Sequence, residues 1–464
     1  MPAKKNSKTA ARKLPTTARP RRTIIVGAAG MDYHVFNTWF RDNPAYRVVA
    51  FTMAAEQNLG TVGGLRTYPR SLAGELYPKG IPTFLERDLA KLVKELKADE
   101  VVFAYSDVSH NYVMSLASSV LAAGADFRFI AADSVQLKSK RPVIAVCAVR
   151  TGCGKSQTSR RVYEILKGLG HKAVAVREPM PYGDLEKQVW QRFETYEDLD
   201  RAKTTIEERE EYEPYIDNGM IIYAGCDYAE ILKHAEAEAE VIVWDGGNNE
   251  IAFFKPDCLI VITDPLRPGH EVTWHPGEVN LRMADVVVIN KEDSAKPEDI
   301  ATVRANTKRV NPKAVIIDAD SPQDVADPSL IRGKRVLVVE DGPTVTHGGM
   351  GFGAGRLAAV RFGAKEIIDP RPCAVGALAR EMEHFPHLVD VLPAMGYSKK
   401  QLKELEATIN RADCDVVVSG TPIDLERIIK VNKPIVRVSY RLEEKSKPGL
   451  EAIIKRTLKA KGLR

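Results

Sequence analysis

The sequence predicts an α/β protein built on largely parallel β-sheets and divided into several domains. The observations are short β-branched runs such as RVVAFT, charged helical segments such as DLAKLVKELKAD between them, and a length of 464 residues. Strands that alternate with helices are typical of parallel sheets, because a helix returns the chain to the edge where the next strand begins. A chain of this length exceeds one ordinary hydrophobic core, so two or three domains are expected.

The first predicted domain, residues 23–140, has the alternating pattern of a Rossmann-like fold. Its first apolar run ends in the loop GAAG at residues 27–30, and the runs RVVAFT and EVVFAYSD follow. The loop departs from G-x-G-x-x-G, so it fits either a plain strand-to-helix turn or a second phosphate or dinucleotide site. Asp107 and His110 follow a later strand, at the edge where open α/β sheets bind ligands. We hypothesise a second substrate pocket there, between this domain and the next.

Two further regions follow, residues 141–330 and residues 331–464. The candidate strands of the first are residues 143–149, 173–177, 220–223, 241–244, 258–262, 286–289 and 314–317, and LEKQVWQRFETYEDLD and AEILKHAEAEAE are candidate helices. The second contains strand-like runs such as KRVLVVEDGP and CDVVVSGTPID, and it is either a separate domain or an α/β extension of the central sheet. Residues 1–22 contain eight Lys or Arg and no acid, and this basic tail lacks the apolar content to fold.

Composition excludes several classes of protein. The apolar and charged fractions, 44% and 28%, are typical of a globular domain in water. No apolar run reaches the roughly 18 residues of a membrane span, and no signal-peptide pattern follows Met1. The six cysteines form no C-x-x-C pair, which favours reduced thiols over a zinc site or a disulfide framework. We therefore expect a cytoplasmic protein without membrane contact, and nucleic-acid contact, if any, only through the tail.

The loop after the first strand of the central region carries most of a phosphate-binding motif. The pattern G-x-x-x-x-G-K-[ST] is present except for its first glycine, which Val149 replaces. Lys155 is placed to reach the β- and γ-phosphate oxygens, and Ser156 to offer its hydroxyl to Mg²⁺. A strand precedes the loop and an amphipathic helix follows it, as a P-loop requires. The nucleotide-binding residues predicted in this loop are Gly152, Cys153, Gly154, Lys155, Ser156 and Gln157.

Two further strand ends complete the nucleotide-binding pattern. Asn290, Lys291 and Asp293 match the N-K-x-D motif of GTP-binding proteins, whose aspartate accepts two hydrogen bonds from guanine. Asp245 ends the run EVIVWD, where a carboxylate holds Mg²⁺ directly or through water. We therefore predict that Ser156 and Asp245 hold Mg²⁺ and that the substrate is ATP or GTP.

The whole pattern resembles a known family. The P-loop, WDGGNN, DPLRPGHE, HPGEVNLRMADVVVINK and EDGPTVTHGGM are together similar to the cyclic 2,3-diphosphoglycerate synthetase family, also described as predicted P-loop GTPases, from residue 23 onward. The central domain more distantly resembles the dethiobiotin synthetase and metallochaperone GTPase branch, in which the second strand ends in a basic residue and a proline, here Arg177 and Pro179. The resemblance implies ATP- and Mg²⁺-dependent closure of a phosphoanhydride in 2,3-bisphosphoglycerate, whereas N-K-x-D predicts guanine. The sequence alone therefore leaves the choice between ATP and GTP open.

A polyanionic substrate requires several cationic groups near the nucleotide. We predict that Lys155, Asp245 and Arg177 act in catalysis. The substrate-binding candidates are Arg150, Arg267, His270, His275, Arg282 and His347, the last in a glycine loop whose amides are expected to bind an anion. The alternative function is a GTPase that acts as a switch or chaperone for a protein partner. Whether the protein forms a homo-oligomer is left open by the sequence.

Overall fold

The computed structural model describes residues 19–28, 30–54, 66–177, 183–246, 250–346, 348–395 and 399–463. It contains three large sheets, mostly parallel, with helices against their faces. The predicted α/β class is therefore confirmed. None of the helices in these ranges is long and apolar enough to cross a membrane.

The N-terminal domain is a six-stranded sheet. Its strands are β1 (Arg21–Val26), β2 (Tyr46–Met53), β3 (Thr67–Tyr68), β4 (Ile81–Leu85), β5 (Glu100–Phe103) and β7 (Asp126–Arg128), with a separate short strand β6 (Val108–Ser109). Its helices are α1 (Met31–Val35), α2 (Arg70–Ala73), α3 (Leu89–Glu95), α4 (His110–Ala123) and α5 (Ala132–Val135). The strand order is β3-β4-β2-β1-β5-β7, and only β3 is antiparallel to its neighbour.

This domain begins earlier than predicted. Arg21 and Arg22, assigned to the basic tail, are the first residues of β1, and Arg19 forms an ion pair with Asp99 at 2.7 Å. Arg21 also pairs with Glu100 at 2.7 Å. Acidic residues at this end of the sheet neutralise the last basic residues of the tail, which a count of charges along the chain does not reveal.

The central domain carries the largest sheet. Its strands are β8 (Val143–Ala148), β9 (Ala173–Arg177), β10 (Gln191–Phe193), β11 (Ile222–Ala224), β12 (Val241–Asp245), β13 (Cys258–Thr263), β14 (Trp274–His275), β15 (Val286–Ile289) and β16 (Val315–Asp320). Its helices are α6 (Lys155–Gly168), α7 (Tyr196–Ala202), α8 (Ile206–Ile216), α9 (Tyr228–Glu238), α10 (Gly277–Met283) and α11 (Pro297–Val310). The order is β10-β11-β9-β12-β8-β13-β15-β16, and strand β14 instead pairs with β6 of the N-terminal domain.

All seven strands predicted for this region are present, because each contains an apolar run, and most of these runs are buried on both faces of the sheet. The segment predicted as one helix over LEKQVWQRFETYEDLD is different. It contains strand β10, and helix α7 begins only at Tyr196, where Thr195 forms a capping box with Asp198. The side chain of Phe193 is buried in the core, so burial and the cap override the charged pattern.

The C-terminal region is a separate domain with its own hydrophobic core. Its strands are β17 (Gln323–Val325), β18 (Arg335–Asp341), β19 (Glu366–Ile367), β20 (Leu392–Ala394), β21 (Val416–Ser419) and β22 (Ile435–Tyr440), followed by β23 (Glu443–Glu444). Its helices are α12 (Gly342–Val345), α13 (Ala354–Arg361), α14 (Ala377–His384), α15 (Lys399–Arg411), α16 (Leu425–Ile428) and α17 (Leu450–Ala460). The order is β17-β22-β21-β18-β19, and β20 pairs with the end of β18.

The boundaries of this domain differ from residues 331–464. Strand β17, at residues 323–325, already belongs to its sheet. Strand β23 pairs with β16, and Ile454 and Leu458 of α17 are buried in the core shared with the central domain. The chain therefore crosses between the two domains twice, a connection that composition does not indicate.

Candidate functional site

The phosphate-binding loop has the geometry that its motif predicts. Strand β8 leads into it, helix α6 begins at Lys155, and Gly152 and Gly154 have left-handed backbone angles, with φ of 79° and 104°. A Cβ atom on Gly154 would collide with the amide nitrogen of Asn290, so only glycine fits there. The loop and the start of α6 therefore have the geometry of a phosphate site of the P-loop type.

The missing first glycine has a structural explanation. Val149 extends the pairing of β8, because its N–H donates to the carbonyl of Ile262 at 3.0 Å. Its φ is not positive, so no glycine is needed. The close backbone approach occurs at Gly277 instead, where a Cβ would collide with the carbonyl oxygen of Val149.

The N-K-x-D segment packs against the phosphate-binding loop and holds its backbone in place. The amide of Asn290 donates to the carbonyl of Cys153 at 2.9 Å. Lys291 donates to the carbonyl of Gly152 at 2.5 Å and pairs with Asp264 at 3.1 Å. These contacts hold the loop to strands β13 and β15, whatever base the nucleotide carries.

Asp293, the residue predicted to bind guanine, is exposed at the end of the same segment. Its carboxylate accepts the backbone N–H of Ser321 at 3.0 Å. This bond links the segment to the loop after β16. Recognition of the base by Asp293 stays a prediction.

Asp245 is at the centre of a buried network. It is 0% exposed and accepts hydrogen bonds from Ser159 at 2.9 Å, Tyr215 at 2.8 Å and Arg177 at 2.6 Å. Arg177 also pairs with Glu211. Burial opposes ionisation of Asp245, but the positive charges of Arg177 and Lys155 and the hydrogen bonds from Tyr215 and Ser159 together outweigh it and lower the pKa of that carboxyl. Burial likewise opposes the charge of Arg177, and Asp245 and Glu211 more than compensate, so its pKa is raised.

Ser156 and Asp245, the two residues predicted to hold Mg²⁺, differ in how they could contact the ion. Ser156 lines the pocket and has a free approach to a phosphate-bound ion. Both oxygens of Asp245 already accept hydrogen bonds, and the Nζ of Lys155 is 4.0 Å from one of them. Ser156 therefore fits a direct ligand, and Asp245 fits contact through water. In the described part of the chain, no group of three or more His, Cys, Asp or Glu could hold a metal alone.

Arg150 and Arg267, predicted to bind substrate, join the three domains. Arg150 pairs with Asp107 of the N-terminal domain at 2.7 Å and contacts Nδ1 of His270 at 2.9 Å. Arg267 donates to the carbonyl of Gly348 in the C-terminal domain at 2.7 Å. Burial, followed by the charge of Arg150, lowers the pKa of His270 to about 4, so this histidine is neutral near pH 7.

The other substrate candidates are not gathered around the loop. His275 ends β14 and packs on phenylalanine rings of the N-terminal domain, and burial lowers its pKa to about 4. Arg282 pairs with Glu278 one turn earlier on α10. Because they face the N-terminal domain or solvent, binding of substrate by these two side chains is not supported. His347 and Pro179 lie outside the described residues.

The structure does not support the hypothesised substrate pocket beside Asp107 and His110, because both side chains contact the central domain. The carboxylate of Asp107 is occupied by Arg150 and by the backbone N–H of Thr151. His110 lies 3.7 Å from Glu278. Asp107 therefore links the N-terminal domain to the P-loop and His110 links it to α10, and neither residue lines the pocket described next.

A pocket lies between the central and C-terminal domains, directly over the P-loop. The predicted residues that line it are Arg150, Gly152, Gly154, Lys155, Ser156, Gln157, Arg177 and Lys291. Cys153, Asp245, Arg267 and Asn290 are buried. Unpredicted residues line the pocket too: Arg160, Glu210, Glu211, Glu340, Asp341, Thr344, Phe352 and Tyr440. We call the lining residues of the P-loop and α6, together with Arg177 at the end of β9, the P-loop wall, and those of residues 340–357 the C-terminal wall.

Glu340 is the most buried carboxylate of the C-terminal wall. It is 1% exposed and accepts N–H groups of Gly353 at 3.0 Å, Gly355 at 3.1 Å and Arg356 at 2.8 Å. Burial raises its pKa to about 7, against these hydrogen bonds. The N-terminus of α13 therefore surrounds an internal carboxylate, not an external anion.

Asp341, the next residue, faces the P-loop wall. Burial raises its pKa to about 6, with a further contribution from the charge of Glu211, while the hydroxyl of Thr344 donates to it. Both acids end strand β18, the same signal that identified Asp245 on β12. Sequence reasoning missed them because KRVLVVEDGP was assigned as a strand and EDGPTVTHGGM served only for the family resemblance, with no role given to either acid.

The glycine loop after β18 does not offer the expected free amides. The N–H of Gly348 donates to the carbonyl of Pro343 at 2.8 Å, and the N–H of Gly349 to that of Thr346 at 3.0 Å. The predicted anion site in this loop is therefore wrong for these two glycines. The carbonyl of Gly348 instead accepts from Arg150 and Arg267.

The chain is similar to two synthetases. It is 60% identical over 436 residues to arginine synthetase ArcE of Thermococcus kodakarensis, which covers 94% of this chain and 96% of that protein. It is 24% identical over 281 residues to cyclic 2,3-diphosphoglycerate synthetase of the same organism, over 55% of this chain and 62% of that one. The likeness to the second protein is thus confined to about half of the chain, not nearly all of it. The chain is an enzyme of the ligase kind.

A solved structure also matches. "Apo" form LpxK from Aquifex aeolicus in complex with ATP has a TM-score of 0.40 at 12% sequence identity, over 69% of this chain and 90% of that chain. No protein-family model matches the chain.

Proposed function

The chain belongs to the arginine synthetase family, and on that premise we propose that it forms arginine in a reaction driven by cleavage of a nucleoside triphosphate. The observation that carries the proposal is the mixed charge of the pocket. Lys155 and Arg177 face the position of the phosphates, and four carboxylates, Glu210, Glu211, Glu340 and Asp341, line the same space. A site for a polyanion alone would exclude such carboxylates, whereas a cationic guanidinium product needs them.

The chemistry suits a phosphate-binding loop. The guanidinium of arginine differs from a terminal ureido group by one nitrogen in place of one oxygen, and that oxygen is a poor leaving group. Transfer of the γ-phosphoryl group to the ureido oxygen makes phosphate the leaving group, and ammonia then displaces it. The products are arginine, a nucleoside diphosphate and phosphate. The ammonium ion loses two protons, of which one appears on phosphate and one leaves through a base.

The residues of the two walls have matching roles in this proposal. Lys155 neutralises the β- and γ-phosphates. Arg177, whose Nε has no hydrogen-bond partner among the described residues, has a donor to spare for the phosphoryl group in transfer. Glu340 and Asp341, with pKa values raised to about 7 and about 6, accept protons near neutral pH, as a general base should.

Magnesium fits the P-loop wall in the same scheme. Ser156 would hold the ion together with the nucleotide phosphates, and Asp245 would reach it through water. When bound, the ion neutralises phosphate charge and polarises the γ-phosphate. ATP and GTP remain the two candidate nucleotides, because Asn290 and Lys291 contact the loop rather than a base.

The second candidate is closure of a phosphoanhydride in 2,3-bisphosphoglycerate. The likeness to cyclic 2,3-diphosphoglycerate synthetase and the cations Arg150, Lys155, Arg160 and Arg177 in the pocket favour it. The four carboxylates oppose it.

The test is turnover of the whole protein with Mg²⁺ and either ATP or GTP. One series receives citrulline, the ureido counterpart of arginine, with ammonium; another receives 2,3-bisphosphoglycerate. We expect arginine and one phosphate per nucleotide cleaved in the first series. A cyclic phosphoanhydride in the second series, detected by phosphorus NMR, would favour the cyclase instead. GTP hydrolysis that neither compound stimulates would favour the alternative function, a GTPase that acts as a switch or chaperone for a protein partner.

A further inference from the structure

A second pocket adjoins the first one. The residues that line both are Gln157, Arg160, Pro214, Pro422 and Tyr440. Beyond this shared boundary the second pocket lies between helix α6, strand β22 and the segment 443–455. A substrate longer than the reacting group would extend across the boundary, from the phosphates into the second pocket.

Arg160 occupies the boundary without a protein partner. It follows Ser156 by four residues on α6, so both side chains are on one face of the helix, about 6 Å apart along its axis. It is half-buried. Its guanidinium takes part in no ion pair or hydrogen bond with any described residue, whereas Ser159 before it and Arg161 after it are both bonded.

Two neighbouring arginines, unlike Arg160, pair with acidic residues. Arg161 pairs with Glu444 at 3.2 Å, and Arg437 pairs with Asp217 at 3.7 Å. A half-buried guanidinium loses hydration, and without a counter-ion this loss is uncompensated. Arg160 is therefore suited to an anion that the ligand brings.

We infer that Arg160 binds the α-carboxylate of the amino-acid substrate, whose α-carbon lies in the second pocket and whose ureido end lies at the P-loop. This inference rests on the proposed function. The planar fork of arginine matches a carboxylate with two parallel hydrogen bonds. Because Arg160 lines both pockets and Ser156 lines only the first, a substrate that extends from one pocket into the other meets the P-loop and Arg160 together.

Tyr440 completes the carboxylate site. It lines both pockets beside Arg160, and burial raises its pKa to about 12. The phenol therefore keeps its proton near pH 7 and donates a hydrogen bond. On the other side the carboxylates Glu211 and Asp341 take the guanidinium end, so the two ends of the substrate meet opposite charges.

The experiment compares L-arginine with agmatine, which lacks the α-carboxylate. Calorimetry measures binding of each to the whole protein with Mg²⁺ and the nucleoside diphosphate. We expect wild type to bind arginine about 10- to 100-fold more tightly than agmatine, and Arg160→Gln to reduce that preference to about threefold or less. Arg160→Lys should keep part of it. Nucleotide affinity should be unchanged in both, which also verifies that the variants fold.

Lys167→Gln is the matched control, because Lys167 is exposed on the same helix and lines neither pocket. If wild type prefers arginine and Arg160→Gln retains the preference, or loses nucleotide affinity with it, the inference is overturned while arginine formation stands. If wild type binds neither compound, the proposed function fails and the inference fails with it.

Discussion

The P-loop wall and the C-terminal wall face each other across one pocket, but their charged groups are held differently. In the P-loop wall, Lys155 and Arg177 are cations held near the buried carboxylate of Asp245. In the C-terminal wall, Glu340 is an acid held by three backbone N–H groups, and in the described part of the chain no cation forms an ion pair with it. The first wall therefore keeps its charges fixed, whereas the second has acids that titrate near neutral pH.

The difference shows how one pocket combines two tasks. Binding of phosphate needs cations that never lose their protons, and a buried carboxylate ensures this by raising the pKa of Arg177. Removal of a proton from a nitrogen nucleophile needs a base whose conjugate acid has an intermediate pKa, and burial of a carboxylate without a paired cation provides one. The following predictions test this division, from the largest expected effect to the smallest.

Lys155→Ala should have the largest effect, on the P-loop wall alone. Loss of the lysine removes a charged donor from the phosphates, and we expect kcat to fall by about 10²- to 10³-fold. Steady-state release of phosphate measures it. Lys167→Ala, on the exposed face of the same helix, is the control. Equal rates in both variants would mean that the loop does not act on the phosphates.

Arg177→Met should reveal how strongly the P-loop wall depends on its internal ion pair. The side chains of Arg177 and Asp245 are 3% and 0% exposed, so the substitution leaves a buried carboxylate without its cation. Lys155 stays 4.0 Å from that carboxylate but forms no hydrogen bond with it, and we expect the free energy of unfolding to fall by about 3 kcal/mol, measured by urea denaturation.

The control for this ion pair is Arg192→Met, whose partner is Glu238 in a more exposed pair. We expect a loss of about 1 kcal/mol or less there. Similar losses for the two variants would contradict a special role of burial in the P-loop wall.

Glu340→Gln tests the C-terminal wall through pH. Burial raises the folded pKa of Glu340 from 4.5 to about 7, so between these values the folded protein binds a proton that the unfolded chain releases. The stability that this group contributes is thus present below pH 4.5 and is lost as pH rises to about 7, by up to about 3 kcal/mol. The variant should lack this loss, as urea denaturation at several pH values will report.

Glu366→Gln, a surface substitution in the same domain, serves as the comparison. It should follow the pH profile of wild type. If Glu340→Gln also follows that profile, Glu340 is ionised throughout the range and is unsuited to proton transfer.

Asp293→Asn should have the smallest effect, because it lies outside both walls. It keeps an acceptor for the N–H of Ser321, and we expect ATP affinity to change by about 1 kcal/mol or less. Fluorescence titration with ATP and GTP measures both affinities. A loss confined to GTP would indicate that Asp293 recognises guanine, and it would sharpen the choice of nucleotide.

The sequence identified the P-loop wall because its signals are local. Gly152, Gly154, Lys155 and Ser156 form one short motif, and its strand and helix context was visible in the residues on either side. The roles of Arg150 and Arg267 were less accessible. Their partners, Asp107 and Gly348, are distant along the chain. The sequence therefore predicted two cations available to substrate, whereas in the structure these cations join three domains.

The sequence by itself determined the α/β class, seven strands of the central sheet and the phosphate-binding loop, because apolar periodicity and glycine-rich turns act over a few residues. Only the tertiary structure decided what the pocket can bind. Glu340 and Asp341 are far from Arg160 along the chain and share a pocket with it only where the C-terminal domain packs on the P-loop. Burial at that contact raised the pKa values of the two acids, and burial depends on which surfaces the fold brings together.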